Sequence, residues 1–98
     1  MHSLIIQAIN EKRLIALNYD PGDRIIEPCA YGTGSDRQGL LRAFQTSGAS
    51  ASDEHVDWKL FRTDRIRSIK ILTQTFASPP LGYKRGDRAM TTGIYAQL

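Results

Sequence analysis

Turn-forming residues punctuate most of this chain at intervals that suit short strands and leave room for only one helix. That helix comes first: Leu4, Ile5, Ala8 and Ile9 fall on one helical face, with Gln7, Asn10 and Glu11 opposite. Residues 3 to 13 therefore read as an amphipathic helix with Ser3 as its N-cap. From Leu14 the apolar spacing changes. Leu14 to Tyr19 is a β-prone run closed by Asp20-Pro21-Gly22-Asp23, where Pro presets φ and Gly permits positive φ, and Arg24 to Tyr31 is the returning strand of a hairpin. Pro28 marks an edge or bulge in that strand, because it has no N–H to give a ladder. Gly32 to Asp36 is the next turn and Gly39 to Gln45 a third strand. Thr46 to Asp57 is a small, polar, acidic connection with the composition of a mobile loop. Trp58 to Thr63 and Arg67 to Phe76 supply two more strands around a corner at Asp64-Arg65. The expected class is mainly β with one N-terminal helix. Short, bent strands that leave no long edge favour a small closed or partly closed five-stranded β-barrel with the helix over one end, and an open meander is the alternative.

A chain of 98 residues with 41% hydrophobic content is one domain with a modest core. No apolar run approaches the roughly 20 residues that span a bilayer, and the N-terminus has no charged lead-in or cleavage site. The expectation is a soluble, cytoplasmic protein with no membrane partner. The single cysteine, Cys29, excludes an internal disulfide and a cysteine-based metal cluster. Residues 1–76 hold the barrel, and 77–98 form a C-terminal extension. There Ser78-Pro79-Pro80-Leu81-Gly82 breaks regular structure, Tyr83 to Arg88 is polar and basic, and Met90, Ile94, Tyr95 and Leu98 are too few for a core of their own. The extension lies across the barrel, docks on a second subunit or stays disordered.

Charge is concentrated between Lys59 and Leu72. Lys59, Arg62, Arg65, Arg67 and Lys70 face one acidic residue, Asp64, so this segment exceeds the net charge of +3 of the whole chain. A local field of that sign attracts polyanions, of which nucleic acid is the commonest; the plain alternative is a solvated strand face. Arg62 and Arg65 are the first choices for ligand contacts, since guanidinium forks match phosphate oxygens, although Arg65 is equally suited to fixing the turn beside Asp64. Arg42 interrupts the apolar run Leu40-Leu41-Arg42-Ala43-Phe44 and must reach solvent, a carboxylate or a ligand. Lys59, Arg67 and Lys70 alternate with apolar residues and read as general electrostatic support. Phe61 reads as core. Trp58 and Tyr31 are either packing residues or stacking surfaces for bases. The glycines at 32, 34 and 39 lack a following Gly-Lys-Ser/Thr and read as turn residues. Catalysis has little support: His2 and His55 lie far apart, Cys29 has no activating neighbour, and no metal-ligand spacing occurs.

With the helix, the strands and the Phe61-Arg62-Thr63-Asp64-Arg65-Ile66 block in this order, the chain resembles a WYL domain over roughly residues 3–76. Arg24-Ile25-Ile26-Glu27-Pro28-Cys29-Ala30-Tyr31 is similar to the family's arginine-x-x-x-proline-tyrosine strand, Leu40 to Phe44 to its central strand, and Phe61 to Leu72 to its Phe-Arg-Leu-Asp-Arg-Ile block and final strand. In place of the Trp-Tyr-Leu triplet stand Gln38-Gly39-Leu40, so only the leucine is kept. The resemblance implies an Sm-like, SH3-type barrel that binds a ligand, often nucleic acid or a nucleotide-containing molecule, in a basic groove. Family members usually carry the domain behind a DNA-binding winged helix in bacterial transcription regulators. No helix-turn-helix fits this chain, so a stand-alone domain would act on a partner regulator or on the nucleic acid it holds.

The expected function is thus a non-enzymatic ligand-sensing module, without cofactor or metal. Its groove is centred on Arg42, Arg62 and Arg65, supported by Lys59, Arg67, Tyr31 and Trp58, and takes single-stranded nucleic acid or a nucleotide. A protein interaction or oligomerisation module, acting as a homodimer through strand edges and the C-terminal tail, is the alternative.

Overall fold

The computed structural model describes all 98 residues. Helix α1 (His2–Glu11) is followed by strands β1 (Arg13–Tyr19), β2 (Gly22–Thr33), β3 (Gly39–Gly48), β4 (Asp57–Arg62), β5 (Ser68–Thr75) and β6 (Gly93–Gln97), with a 3₁₀ turn at Thr63–Arg65 between β4 and β5. Helix α1 starts before the expected cap: Met1 is the N-cap and no side chain caps the first turn. At the other end Lys12 takes the left-handed conformation (φ 51°), and its N–H donates to the carbonyls of Ala8 and Ile9. That bend turns the chain directly into β1.

The strands form one antiparallel sheet in the order β4-β3-β2-β1-β5, and β6 is added to β2. The sheet is not closed into a barrel, because β4 and β5 do not pair. The connection between them explains why. After the 3₁₀ turn Ile66 drops into the core and the Arg67 N–H donates to the carbonyl of Asn18, which carries the chain across to β1. A sixth strand is also added to the five expected. Strand β2 is long enough to serve two partners along one edge, β1 at residues 22–26 and β6 at residues 30–33. Pro28 stands between these two pairings, so its missing N–H costs no ladder bond on that side, and the register against β3 shifts immediately after it. Gly32 is what lets β6 approach: a side chain there would run into the carbonyl oxygen of Gly93 and the sulfur of Met90.

The core lies between α1 and one face of the sheet. Ile5, Ala8 and Ile9 pack against Ile15, Leu17, Ile26, Tyr31, Leu41, Ala43, Phe61 and Ile66, all buried. A smaller cluster on the opposite face joins Ala30 and Leu40 to Met90, with Ala89 and Ile94 at its margin. The C-terminal segment thus folds back over the sheet, the first of the three paths left open by the sequence.

One charged residue belongs to the core. Arg24 is 5% exposed, and its guanidinium lies over the rings of Tyr19 and Phe61, 5.3 and 5.5 Å from their centroids. It donates to the carbonyls of Tyr19 and Asp20 and to Oε1 of Gln45. Gln45, fully buried, donates in turn to the carbonyls of Ala49 and His55. The Thr46–Asp57 connection expected to be mobile is therefore tied down from inside, and β3 itself continues to Gly48.

Candidate ligand-binding groove

The strand register decides which of the basic residues can act together. The pairs Leu40/Arg62, Arg42/Leu60 and Phe44/Trp58 place six side chains on the sheet face away from α1, whereas Leu41/Phe61 and Ala43/Lys59 point to the core side. Lys59 accordingly turns away from Arg62 and donates to the hydroxyls of Ser50 (2.8 Å) and Ser52 (3.3 Å). Arg62 places its fork on Asp64 (3.2 and 3.1 Å) at the surface. That hydrogen-bonded pairing raises the guanidinium above its ordinary range and lowers the carboxyl below its own. Arg65 is exposed on the 3₁₀ turn, and Arg67 reaches Asp20 at 3.4 Å. Tyr31 is buried in the main core, its hydroxyl 2.8 Å from Nδ1 of His2 and its ring beside Tyr95. The structure does not gather these residues into one groove.

It does bring Arg42 and Trp58 together. Both line an open groove of about 720 Å³ whose other wall is the C-terminal segment, including Tyr83, Lys84, Arg85, Asp87 and Arg88. Arg42 points out of the middle of β3 and holds Asp87 with two donors, Nε to Oδ2 at 2.6 Å and a terminal nitrogen to Oδ1 at 3.3 Å. The backbone N–H of Ala89 donates to the same carboxylate at 3.0 Å. The bond from Arg42 holds the Asp87 carboxyl below the usual carboxylate range, with burial acting in the opposite direction. Two rings meet Trp58: Phe44 edge-on at 5.6 Å, and Tyr83 stacked at 6.3 Å with 26° between the planes. Its indole N–H donates to the carbonyl of Leu81. Gly82 (φ 91°) supplies the left-handed bend that brings the segment over the indole.

The groove thus combines an aromatic pair, three exposed cations at Lys84, Arg85 and Arg88, and a fourth cation already paired at Arg42. Tyr83, Lys84, Arg85 and Arg88 are the residues that sequence reasoning passed over. Their signal was the polar, basic run after Gly82, but its significance depends on where the tail docks.

Reactive groups are sparse. Cys29 is fully buried, and burial pushes its thiol up to about 12, so it holds almost no thiolate at neutral pH. Nδ1 of His55 bonds the carbonyl of Gly48. No group of three or more His, Cys, Asp or Glu side chains is placed to hold a metal ion. No helix is long and apolar enough to cross a membrane. In comparison with known proteins, the chain matches no family model, no curated protein and no solved structure.

Proposed function

We propose that this chain is a non-enzymatic, WYL-type ligand-binding module whose basic groove holds single-stranded nucleic acid or a nucleotide. The observation that carries the reading is the Trp58–Tyr83 stack bordered by Lys84, Arg85 and Arg88 in one open groove. Aromatic faces beside cations accept bases of any sequence, while the cations track phosphates, so affinity would come with little base preference. The Sm-like character of this reading is carried by the helix packed on one face of an antiparallel sheet that is open and not closed into a barrel. Within this reading Arg42, Lys84, Arg85 and Arg88 carry the contacts to phosphate. Arg62, Arg65 and Arg67 supply the surrounding field, and transcriptional regulation in a bacterial cytoplasm is the setting the family resemblance suggests.

The test is fluorescence anisotropy of labelled single-stranded RNA, single-stranded DNA and duplex over a range of salt concentrations. Three or four phosphate contacts predict a log-log slope of about −2 to −3 for single strands. Trp58→Ala is expected to weaken binding by about 1–3 kcal/mol. Absence of binding to all three nucleic acids at low salt sinks the polynucleotide form of the reading, and a small nucleotide, titrated by calorimetry, is then the remaining ligand.

A second reading is favoured by the edge of β4. Val56, Leu60 and Leu81 are among the few exposed large apolar residues, 62%, 38% and 97% accessible; Val56 stands just before the start of that strand and Leu60 within it, and the Leu81 carbonyl meets the indole of Trp58 in the same strand. Two of its backbone donors are already capped, the Trp58 N–H by Asp57 and the Arg62 N–H by the Tyr19 hydroxyl. A protein partner or a second copy pairing there would bury this patch. Sedimentation equilibrium of the native chain and of Leu60→Lys decides it: a dimer lost in the variant supports the edge, and a monomer in both removes self-association.

A further inference from the structure

The salt bridge at the floor of the groove has a consequence for what the groove accepts, and this step rests on the ligand reading above. We propose that Asp87 is an internal competitor for the anion site on Arg42, so that the groove selects ligands carrying several phosphates over single small anions. The carboxylate engages both donors of the Arg42 fork, at 2.6 and 3.3 Å, in the bidentate manner that a phosphate would use. It is also delivered at high effective concentration. Asp87 is 10% exposed, its Oδ1 is held by the Ala89 N–H, and Met90 three residues along the same segment is anchored in the small cluster with Ala30 and Leu40. A lone anion entering the groove therefore finds its best donor occupied. Lys84 and Arg88, by contrast, are exposed and take part in no ion pair. A ligand with several phosphates engages these outer cations first, and its next phosphate then competes with Asp87 for the fork. One that carries a single charge gains only loose surface contacts.

The test is a double-mutant cycle on the full chain: wild type, Asp87→Asn, Arg42→Gln and the double variant, each titrated with labelled oligothymidylate and with inorganic phosphate at one low salt concentration. Asparagine keeps the shape and the acceptor for Ala89, and Trp58 fluorescence reports whether the segment still covers the indole. Asp87→Asn is expected to bind oligothymidylate roughly tenfold more tightly and to take up inorganic phosphate measurably, as a charge-assisted pair released to the ligand implies. In the Arg42→Gln background the same change is expected to gain no more than about twofold, because no guanidinium fork is left for it to release. Unchanged or weaker binding by Asp87→Asn overturns the proposal, and so does an equal gain in both backgrounds. If neither wild type nor Asp87→Asn binds either probe, the ligand reading of the groove fails first and the proposal falls with it.

Discussion

Phe61→Ala is expected to destabilise the fold by about 3–5 kcal/mol, a large share of the roughly 5–15 kcal/mol that holds a domain of this kind together. Phe61 is 1% exposed near the end of β4 and points to the side of the sheet that α1 covers. Its ring meets Tyr19 edge-on at 4.9 Å, and the Arg24 guanidinium lies over it. Truncation therefore removes buried apolar surface, leaves a cavity between two sheet regions that cannot collapse independently, and strips one aromatic face from a buried cation. Urea denaturation followed by circular dichroism checks this: the midpoint should fall steeply with little change in slope. A loss below about 1 kcal/mol means that the site repacks and that Phe61 is not the centre of the core.

How the sequence reads at Phe61 differs from how it reads at the groove, and the reason is the range of the interactions. The alternation in Trp58 to Thr63, the turn residues at Asp20 to Asp23 and the apolar face of the first helix are local signals, and the strands and helix lie within a few residues of where those signals put them. Pro28 carried its message as well, a break in the ladder, because a missing N–H acts wherever the residue sits. Strand β6 gave no comparable signal. Gly93-Ile94-Tyr95-Ala96-Gln97 is short, and it is a strand because Gly32 opens a place for it beside β2. Closure of the sheet was equally out of reach, since it depends on whether β4 and β5 meet after the 3₁₀ turn. The same limit governs the groove. Spacing in sequence groups Arg62, Arg65 and Arg67, but strand parity and the turn send them to different places, and Arg42 and Trp58 acquire basic neighbours only because the tail folds back over them.

Arg24 shows the same limit in the core, since nothing adjacent in sequence distinguishes it from the exposed arginines. Arg24→Met is expected to cost about 2–4 kcal/mol although methionine fills much of the same space, because a buried acceptor left without a donor costs about 1–3 kcal/mol and this guanidinium serves one buried and two part-buried acceptors. The acceptors are the carbonyls of Tyr19 and Asp20 at the β1–β2 turn and Oε1 of Gln45. Burial lowers the guanidinium below its ordinary range, with Tyr19 and Asp20 acting in the opposite direction. A buried ion pair can be replaced by apolar residues at small net cost when both partners are removed, but here the partners, two backbone carbonyls and the Gln45 side chain, remain. Arg62→Ala is the proper contrast: its partner Asp64 is 56% exposed, so losing that solvent-screened pair should change stability far less than Arg24→Met. Thermal unfolding of the two variants side by side measures the difference, and hydrogen exchange locates it. In Arg24→Met the amides around the β1–β2 turn and of Ala49, whose N–H donates to the carbonyl of Asp23, should lose protection before those of α1. Equal losses of stability in the two variants would mean that Arg24 sits in the core as a passenger and does not hold the turn.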